Sequence, residues 1–241
     1  HCISSAASDV YKRQTMTDTL LGWKPVPAPP RAPIDGRYVD LQPLDVARHG
    51  DDLWHALQGP ESDPALWDYL PYGPFAERSA FDSWLRDKQS GSDPLFFTVI
   101  DKATERAVGL LSFLRIAAAD GCIEIGHIAF GRAMQRSPAS TEAIWLLIRL
   151  AMDGLGNRRL EWKCNARNAR SRRAAERLGF TQEGLFRQHA VIKGENRDTA
   201  WFSIIDSEWP PLRDAFVRWL SPDNFDAQGK QRQRLEAFRE S

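Results

Sequence analysis

The sequence predicts a mixed α/β fold in a single domain. Three observations carry that reading. Strand-like and helical runs follow one another as β–β–β–helix–β–helix–β through the middle of the chain, an order that gives a mixed sheet with helices on its faces. With 241 residues and 42% apolar positions, the chain has the length and the material for one large core. No internal repeat divides it.

The elements follow in order. His1–Gln14 contains SSAASDVYKRQ, which matches codon by codon a translated transposon-type sequencing adapter. Residues 1–15 are therefore set aside, so His1 and Cys2 are not offered as ligands, and Met16 is the expected natural start. Thr17–Trp23 lacks the basic start and long apolar stretch of a signal peptide. Residues 16–35 form a proline-rich strap: five of the nine residues from Pro25 to Pro33 are proline, which excludes a helix or central strand. The domain proper spans 36–220. Tyr38–Leu44 alternates as a strand, and Asp45 is placed to cap a helix running through Leu57. Trp67–Phe75 is an aromatic, proline-broken loop, and Glu77–Gln89 has helical spacing at Phe81, Trp84 and Leu85. Leu95–Ile100, Ala107–Arg115 and Cys122–Phe130 read as strands, the last two joined by a turn at Ala118–Gly121.

Ser140 is expected to introduce a helix over Thr141–Leu155 that is apolar on nearly every side and hence buried. Arg159–Cys164 is a strand, and Asn168–Leu178 a polar helix stopped by Gly179. Strands near Thr181–Phe186 and Thr199–Ile205 are expected to be split by an excursion around Gly194. Trp209–Leu220 sets Leu212, Phe216 and Trp219 on one helix face. Residues 221–241 form a polar tail, expected to be loosely held.

Composition excludes several functions. The 32 Lys+Arg balance 32 Asp+Glu, which argues against a general nucleic-acid binder. The longest apolar run, Ala143–Ile148, falls far short of the roughly 18 residues that span a bilayer. Cys2, Cys122 and Cys164 form neither a metal motif nor a disulfide framework, so no metal is expected and a reducing, cytoplasmic setting fits best. Cys122 and Cys164 read as small core residues rather than nucleophiles.

Two units could carry chemistry. The loop from Gly131 to Ala139 feeds a helix N-terminus, whose free N–H groups and partial positive charge suit phosphate, with Arg132 and Arg136 nearby. A plain strand-to-helix connection would explain it as well, and Glu142 in the first helical turn would repel a phosphate. The second unit, Asn165–Phe180, is rich in arginine. It suits a phosphorylated cofactor, an RNA backbone, or only a solvated helix face.

Strand Glu124–Ile125–Gly126–His127, the helix opening Thr141–Glu142–Ala143, then Asn168-x-x-Ser171 and Arg177–Leu178–Gly179–Phe180 occur here in that order. This set resembles the GNAT N-acetyltransferases, and within them the RimJ/RimL-like branch that modifies N-terminal amines of ribosomal proteins, other peptides and small amines. The resemblance covers about Gly36–Trp209. It implies a mostly antiparallel twisted sheet flanked by helices, with acetyl-CoA wedged between the strands ending at Phe130 and Cys164. Ile128, Ala129 and Phe130 would line the pantetheine and acetyl group. Arg136, Ser137, Pro138, Ala139, Ser140 and Thr141 would hold the pyrophosphate, and Asn165, Asn168 and Ser171 would approach the pantetheine arm. The family carries glycines where this chain has Arg136 and Pro138. Proline has no N–H to offer, and the Arg136 guanidinium supplies charge in its place.

The chemistry asks for few side chains: a base for the amine proton, a backbone donor for the developing oxyanion, and a proton for the departing thiolate. Glu124 aligns with a position where the superfamily often carries its base, and His127 is the alternative. Glu124 could equally be an arginine-paired carboxylate, and His127 a packed strand histidine. Ser171 is the candidate proton donor, or only a cap. Trp67, Tyr69, Tyr72 and Phe75 are candidates to line an acceptor cleft, or to pack. The expected acceptor is a protein or peptide N-terminus. A small amine, such as a polyamine or aminoglycoside, and a non-catalytic CoA- or ribosome-binding module stay open. A homodimer is a candidate assembly; no membrane or direct nucleic-acid partner is expected.

Overall fold

A computed structural model of the chain describes residues 20 and 22–239; the adapter-like segment and Met16 lie outside the described residues. Eight strands form one sheet: β1 (Ile34–Asp35), β2 (Val39–Pro43), β3 (Leu95–Asp101), β4 (Arg106–Ala117), β5 (Cys122–Phe130), β6 (Arg159–Asn165), β7 (Thr181–Ile192) and β8 (Glu195–Ile205). Their spatial order is β1-β2-β3-β4-β5-β6-β8-β7. Every pairing among them is antiparallel except β5 with β6. The helices are α1 (Val46–Gln58), α2 (Arg78–Ser90), α3 (Pro138–Arg149), α4 (Ala169–Leu178) and α5 (Trp209–Trp219). None of the described helices is long and apolar enough to cross a membrane.

Strand alternation sends neighbouring side chains to opposite faces and so builds two cores. Phe97 and Val99 of β3, with Leu111 and Phe113 of β4, meet the apolar body of α3 and the inner faces of α4 and α5. Phe96 and Leu110 point the other way and meet Leu53 and Leu57 of α1 and Phe81 and Leu85 of α2. On that second face, β5, β6 and β8 carry polar groups instead: Glu124, Glu161, Lys163 and Ser203. The helix caps follow local rules. The Asp45 carboxylate accepts from the N–H groups of Ala47 and Arg48, and Asn168 does the same for Ser171. Gly179 ends α4 at φ 95°, a left-handed position that glycine occupies without steric cost.

Four expectations are corrected. α3 begins at Pro138, with Ser137 at the cap position, not at Ser140. Proline suits the first helical residue, whose N–H has no partner within the helix. The Ser140 hydroxyl donates instead to Ser137 O at 2.9 Å, and the Ser137 hydroxyl to Met134 O at 2.6 Å. After Arg149 the helix widens into a π-helical turn over Leu150–Gly154.

Glu142 does not face the loop ahead of α3. The residue is 2% exposed, and its carboxylate accepts the backbone N–H groups of Arg37 (2.8 Å), Tyr38 (2.5 Å) and Val39 (2.9 Å) at the start of β2. Its charge is spent holding an edge of the sheet to the buried helix.

The last two strands are not interrupted around Gly194. They run to Ile192 and from Glu195, joined by the tight turn Lys193–Gly194 with φ 51° and 80°. Polar residues on an exposed edge hid this ladder, because strand alternation shows in sequence only when one face is buried. The tail, too, is anchored: Leu235 is 1% exposed within the first core.

Candidate active site

β5 and β6 pair only at Cys122–Arg159, Ile123–Leu160 and Glu124–Glu161, although β5 continues to Phe130 and β6 to Asn165. Beyond Glu124 the two strands part. The cause is local. Leu110 to Ser112 on β4 spans two residues while the facing Gly126 to Ala129 spans three, so β5 carries one extra residue there. His127 sits in that bulge at φ 51°. A bulge bends its strand, and here it leaves the β6-facing edge of Gly126–Phe130 without a strand partner.

The residues around this fork divide into two groups. On the first-core side lie the start of α3 and the N-terminal turn of α4. Ala139, Ser140 and Thr141 present the first N–H groups of α3, and Arg136 is exposed with no ion pair among the described residues. Arg136 adopts φ 60°, so an arginine holds the left-handed conformation that a glycine would otherwise supply. The Thr141 hydroxyl accepts from Arg177 at 3.1 Å. Phe130 is 8% exposed, and its carbonyl accepts the Gln135 side-chain amide at 2.9 Å. Ser171 N–H donates to Asn168 Oδ1 at 3.0 Å, and Ser171 Oγ accepts from Trp162 Nε1 at 2.9 Å. Asn165 Oδ1 accepts from Arg167 N–H at 2.9 Å. Strand edge, helix N-terminus and free guanidinium together fit a ligand with an extended amide arm and a pyrophosphate.

On the opposite face, Glu124 is 3% exposed. Its Oε2 lies 2.8 Å from Arg115 Nη1 and 2.9 Å from Lys163 Nζ, whereas Oε1 enters none of the hydrogen bonds or ion pairs of the described residues. Lys163 also reaches Glu161 at 2.6 Å and lies 4.0 Å from the centroid of the Trp201 ring. Burial alone would raise the Glu161 carboxyl, but the hydrogen bonds from Lys163 and Arg159 outweigh it, and its pKa is lowered. Arg159 grips Glu183 through two bonds, of 2.8 and 2.6 Å, holding that carboxyl at about 2.

His127 and Tyr72 form a unit. Tyr72 Oη lies 2.7 Å from His127 Nδ1, with the rings stacked at 5.6 Å. Burial first, then the charges of Lys88, Arg115 and Arg197, lower the His127 pKa to about 4. Burial raises that of Tyr72. Both groups are neutral near pH 7. Which of the two atoms carries the proton of that bond depends on the imidazole tautomer. A buried imidazole with a pKa of about 4 is a weak base near pH 7, which argues against His127 as the base.

Of the aromatic loop, Trp67 is 2% exposed, donates to Leu57 O at 3.2 Å and closes the second core. It is a packing residue and does not line a cleft. Phe75 stacks edge-on against it at 5.4 Å. Tyr69 is exposed and donates to Arg167 O, so it touches the loop before α4. Burial raises the Cys164 thiol and pushes the Cys122 thiol up to about 11, so neither is a thiolate near pH 7. No cluster of metal-ligating side chains occurs among the described residues. Lys163, Arg115 and Tyr72's role as partner of His127 escaped sequence reasoning; they lie far apart in the chain, and only the fold brings them together.

A family model described as acetyltransferase (GNAT) domain matches residues 41–181. The chain is 48% identical to a GCN5-related N-acetyltransferase from Brucella melitensis, whose crystal structure superposes with a TM-score of 0.88, covering 92% of this chain and 100% of that one. It is 28% identical over 151 residues to "Uncharacterized N-acetyltransferase p20" of Bacillus licheniformis, covering 61% of this chain and 84% of that protein.

Proposed function

The chain belongs to the GNAT acetyltransferase family, with acetyl-CoA as its donor, and from that premise we propose that its acceptor is a protein or peptide N-terminal amine, as in the RimJ/RimL-like branch. Bound acetyl-CoA supplies a thioester carbonyl open to attack by an amine. The free edge of Gly126–Phe130, which includes Ile128 and Ala129, is suited to bond the pantetheine arm as a further strand would. The N–H groups of Ala139, Ser140 and Thr141 and the Arg136 guanidinium are suited to the pyrophosphate. Ser137 and Pro138 shape that turn. Asn168 at the start of α4, Ser171 in its first turn and Asn165 at the end of β6 would border that arm. The Ser171 hydroxyl, which accepts from Trp162 and also bonds the Cys164 sulfur, is the candidate proton source for a departing thiolate.

The observation that carries the mechanism is the asymmetry of Glu124. Arg115 and Lys163 anchor Oε2 where the strands part, while Oε1 is left to take a proton from an incoming ammonium, directly or through one water. The amine becomes a nucleophile only after losing that proton. The test is thiol release from acetyl-CoA with peptides, polyamines and aminoglycosides as acceptors. Peptide N-termini are expected to turn over best; turnover confined to polyamines or aminoglycosides would overturn the acceptor assignment.

A further inference from the structure

Arg197 of β8 is half-buried, its Nε is fully buried without a hydrogen-bond partner, and it joins no ion pair among the described residues. A buried guanidinium nitrogen left without a partner is costly and asks for an explanation. Its surroundings supply none. The carboxylates on this side of the sheet are already committed: Glu124 to Arg115 and Lys163, Glu161 to Lys163 and Arg159, and Glu183 to Arg159. Of the cations Arg115, Arg159, Lys163 and Arg197 on this side of the sheet, Arg197 is the one that joins no ion pair among the described residues.

Arg197 lies on β8 two positions beyond Thr199, which pairs with Asn165 at the open end of β6. From there its field reaches His127, Glu124 and Arg115. Arg115 is aimed at the same place. Its backbone is held at φ 48° while Asp93 accepts the N–H groups of Arg115 and Ile116, at 2.8 and 3.0 Å. Only one Arg115 nitrogen is engaged by Glu124, and the side chain is 56% exposed. The approach is also bounded. Lys193 Nζ donates to Trp67 O at 2.8 Å and Arg170 pairs with Asp63 at 2.9 Å, tying the aromatic loop to the β7–β8 turn and to α4.

Building on the acceptor reading above, we infer that Arg197, with Arg115, binds a carboxylate that the acceptor carries close to its amine. The amine then meets Glu124 Oε1 while its carboxylate neutralises the spare guanidinium. A polycation would bring like charge to this place. Two sources offer that chemistry: the side chain of an acidic first residue in a peptide, or the α-carboxylate of a free amino acid.

The test compares kcat/KM for peptides that differ only in an Asp or Asn first residue, and for free aspartate against its diamide, in wild type, Arg197→Gln and Arg197→Glu. A hydrogen-bonded charge pair predicts a preference of roughly tenfold to a hundredfold for the carboxylate-bearing member. The pair with the higher kcat/KM identifies the source. In Arg197→Gln the Asp/Asn ratio should fall towards one, and in Arg197→Glu it should drop below one. Equal rates for both members of each pair in wild type would overturn the inference, with no variant needed. Turnover of free aspartate but of no peptide would overturn the N-terminal acceptor reading and leave the carboxylate site standing.

Discussion

Lys163 Nζ lies 2.9 Å from Glu124 Oε2, bridging β5 and β6 at the last point where the two strands still pair. The ion pair fixes the carboxylate at the fork and leaves its second oxygen unengaged. Glu124→Gln keeps the size and removes the basicity. Turnover should fall by roughly 10²–10⁴, with acetyl-CoA affinity nearly constant. His127→Ala should cost much less, because burial keeps the imidazole a weak base with a pKa of about 4. Steady-state kinetics on both variants decide it: an active Gln variant beside an inactive Ala variant would make histidine the base.

Glu142 is predicted to be a stability residue. Three backbone N–H groups at the start of β2 converge on its carboxylate. Glu142→Gln replaces one acceptor oxygen by a donor, which faces N–H groups it cannot serve. The expected loss is about 2–4 kcal/mol in urea unfolding. A loss well below about 1 kcal/mol would show that the three bonds contribute little beyond what water supplies.

Arg136 separates binding from folding. Arg136→Ala keeps the left-handed backbone and removes the guanidinium, so the rise in melting temperature caused by acetyl-CoA should shrink. Arg136→Gly should be more stable than the alanine variant by about 1 kcal/mol without ligand, since glycine alone escapes the steric cost at φ 60°. Thermal melts with and without acetyl-CoA measure both effects. An unchanged ligand shift in the alanine variant would remove Arg136 from the site.

The buried His127 predicts a dependence of stability on pH. Its folded pKa of about 4 lies below the unfolded value of 6.5, so below pH 6.5 the unfolded chain takes up the proton first. Stability from this group is complete above pH 6.5 and is lost as the pH falls to about 4, in total on the order of 3 kcal/mol. Glu183, held at about 2, adds a second loss that begins only below its unfolded value of 4.5. Urea unfolding at a series of pH values should show the upper phase vanish in His127→Phe. Its persistence would assign the loss to another group.

Much of the fold was legible along the chain. Asp45 and Asn168 mark helix starts, Gly179 marks an end, and the apolar run Ala143–Ile148 announces a buried helix. In each case the cause lies within a few residues of the effect. The start of α3 was misplaced because Ser140 and Ser137 are both good cap residues, and only the path of the preceding loop chooses between them. The exposed β7–β8 ladder was foreshortened for want of a buried face to impose alternation.

By itself, the sequence determined the order of elements, the resemblance to an acetyltransferase family, and the neighbourhoods from which Glu124, His127, Asn168 and Ser171 come. The tertiary structure decided what each of them touches. That Glu142 turns away from the loop, that Tyr72 bonds the His127 imidazole, and that Glu124 is anchored through one oxygen by Arg115 and Lys163 all depend on how helices, loops and strands pack together. A charge acts through distance in space. Groups such as Lys163 and Glu124, 39 positions apart in the chain and 2.9 Å apart in the fold, acquire their chemistry only when the sheet brings them together.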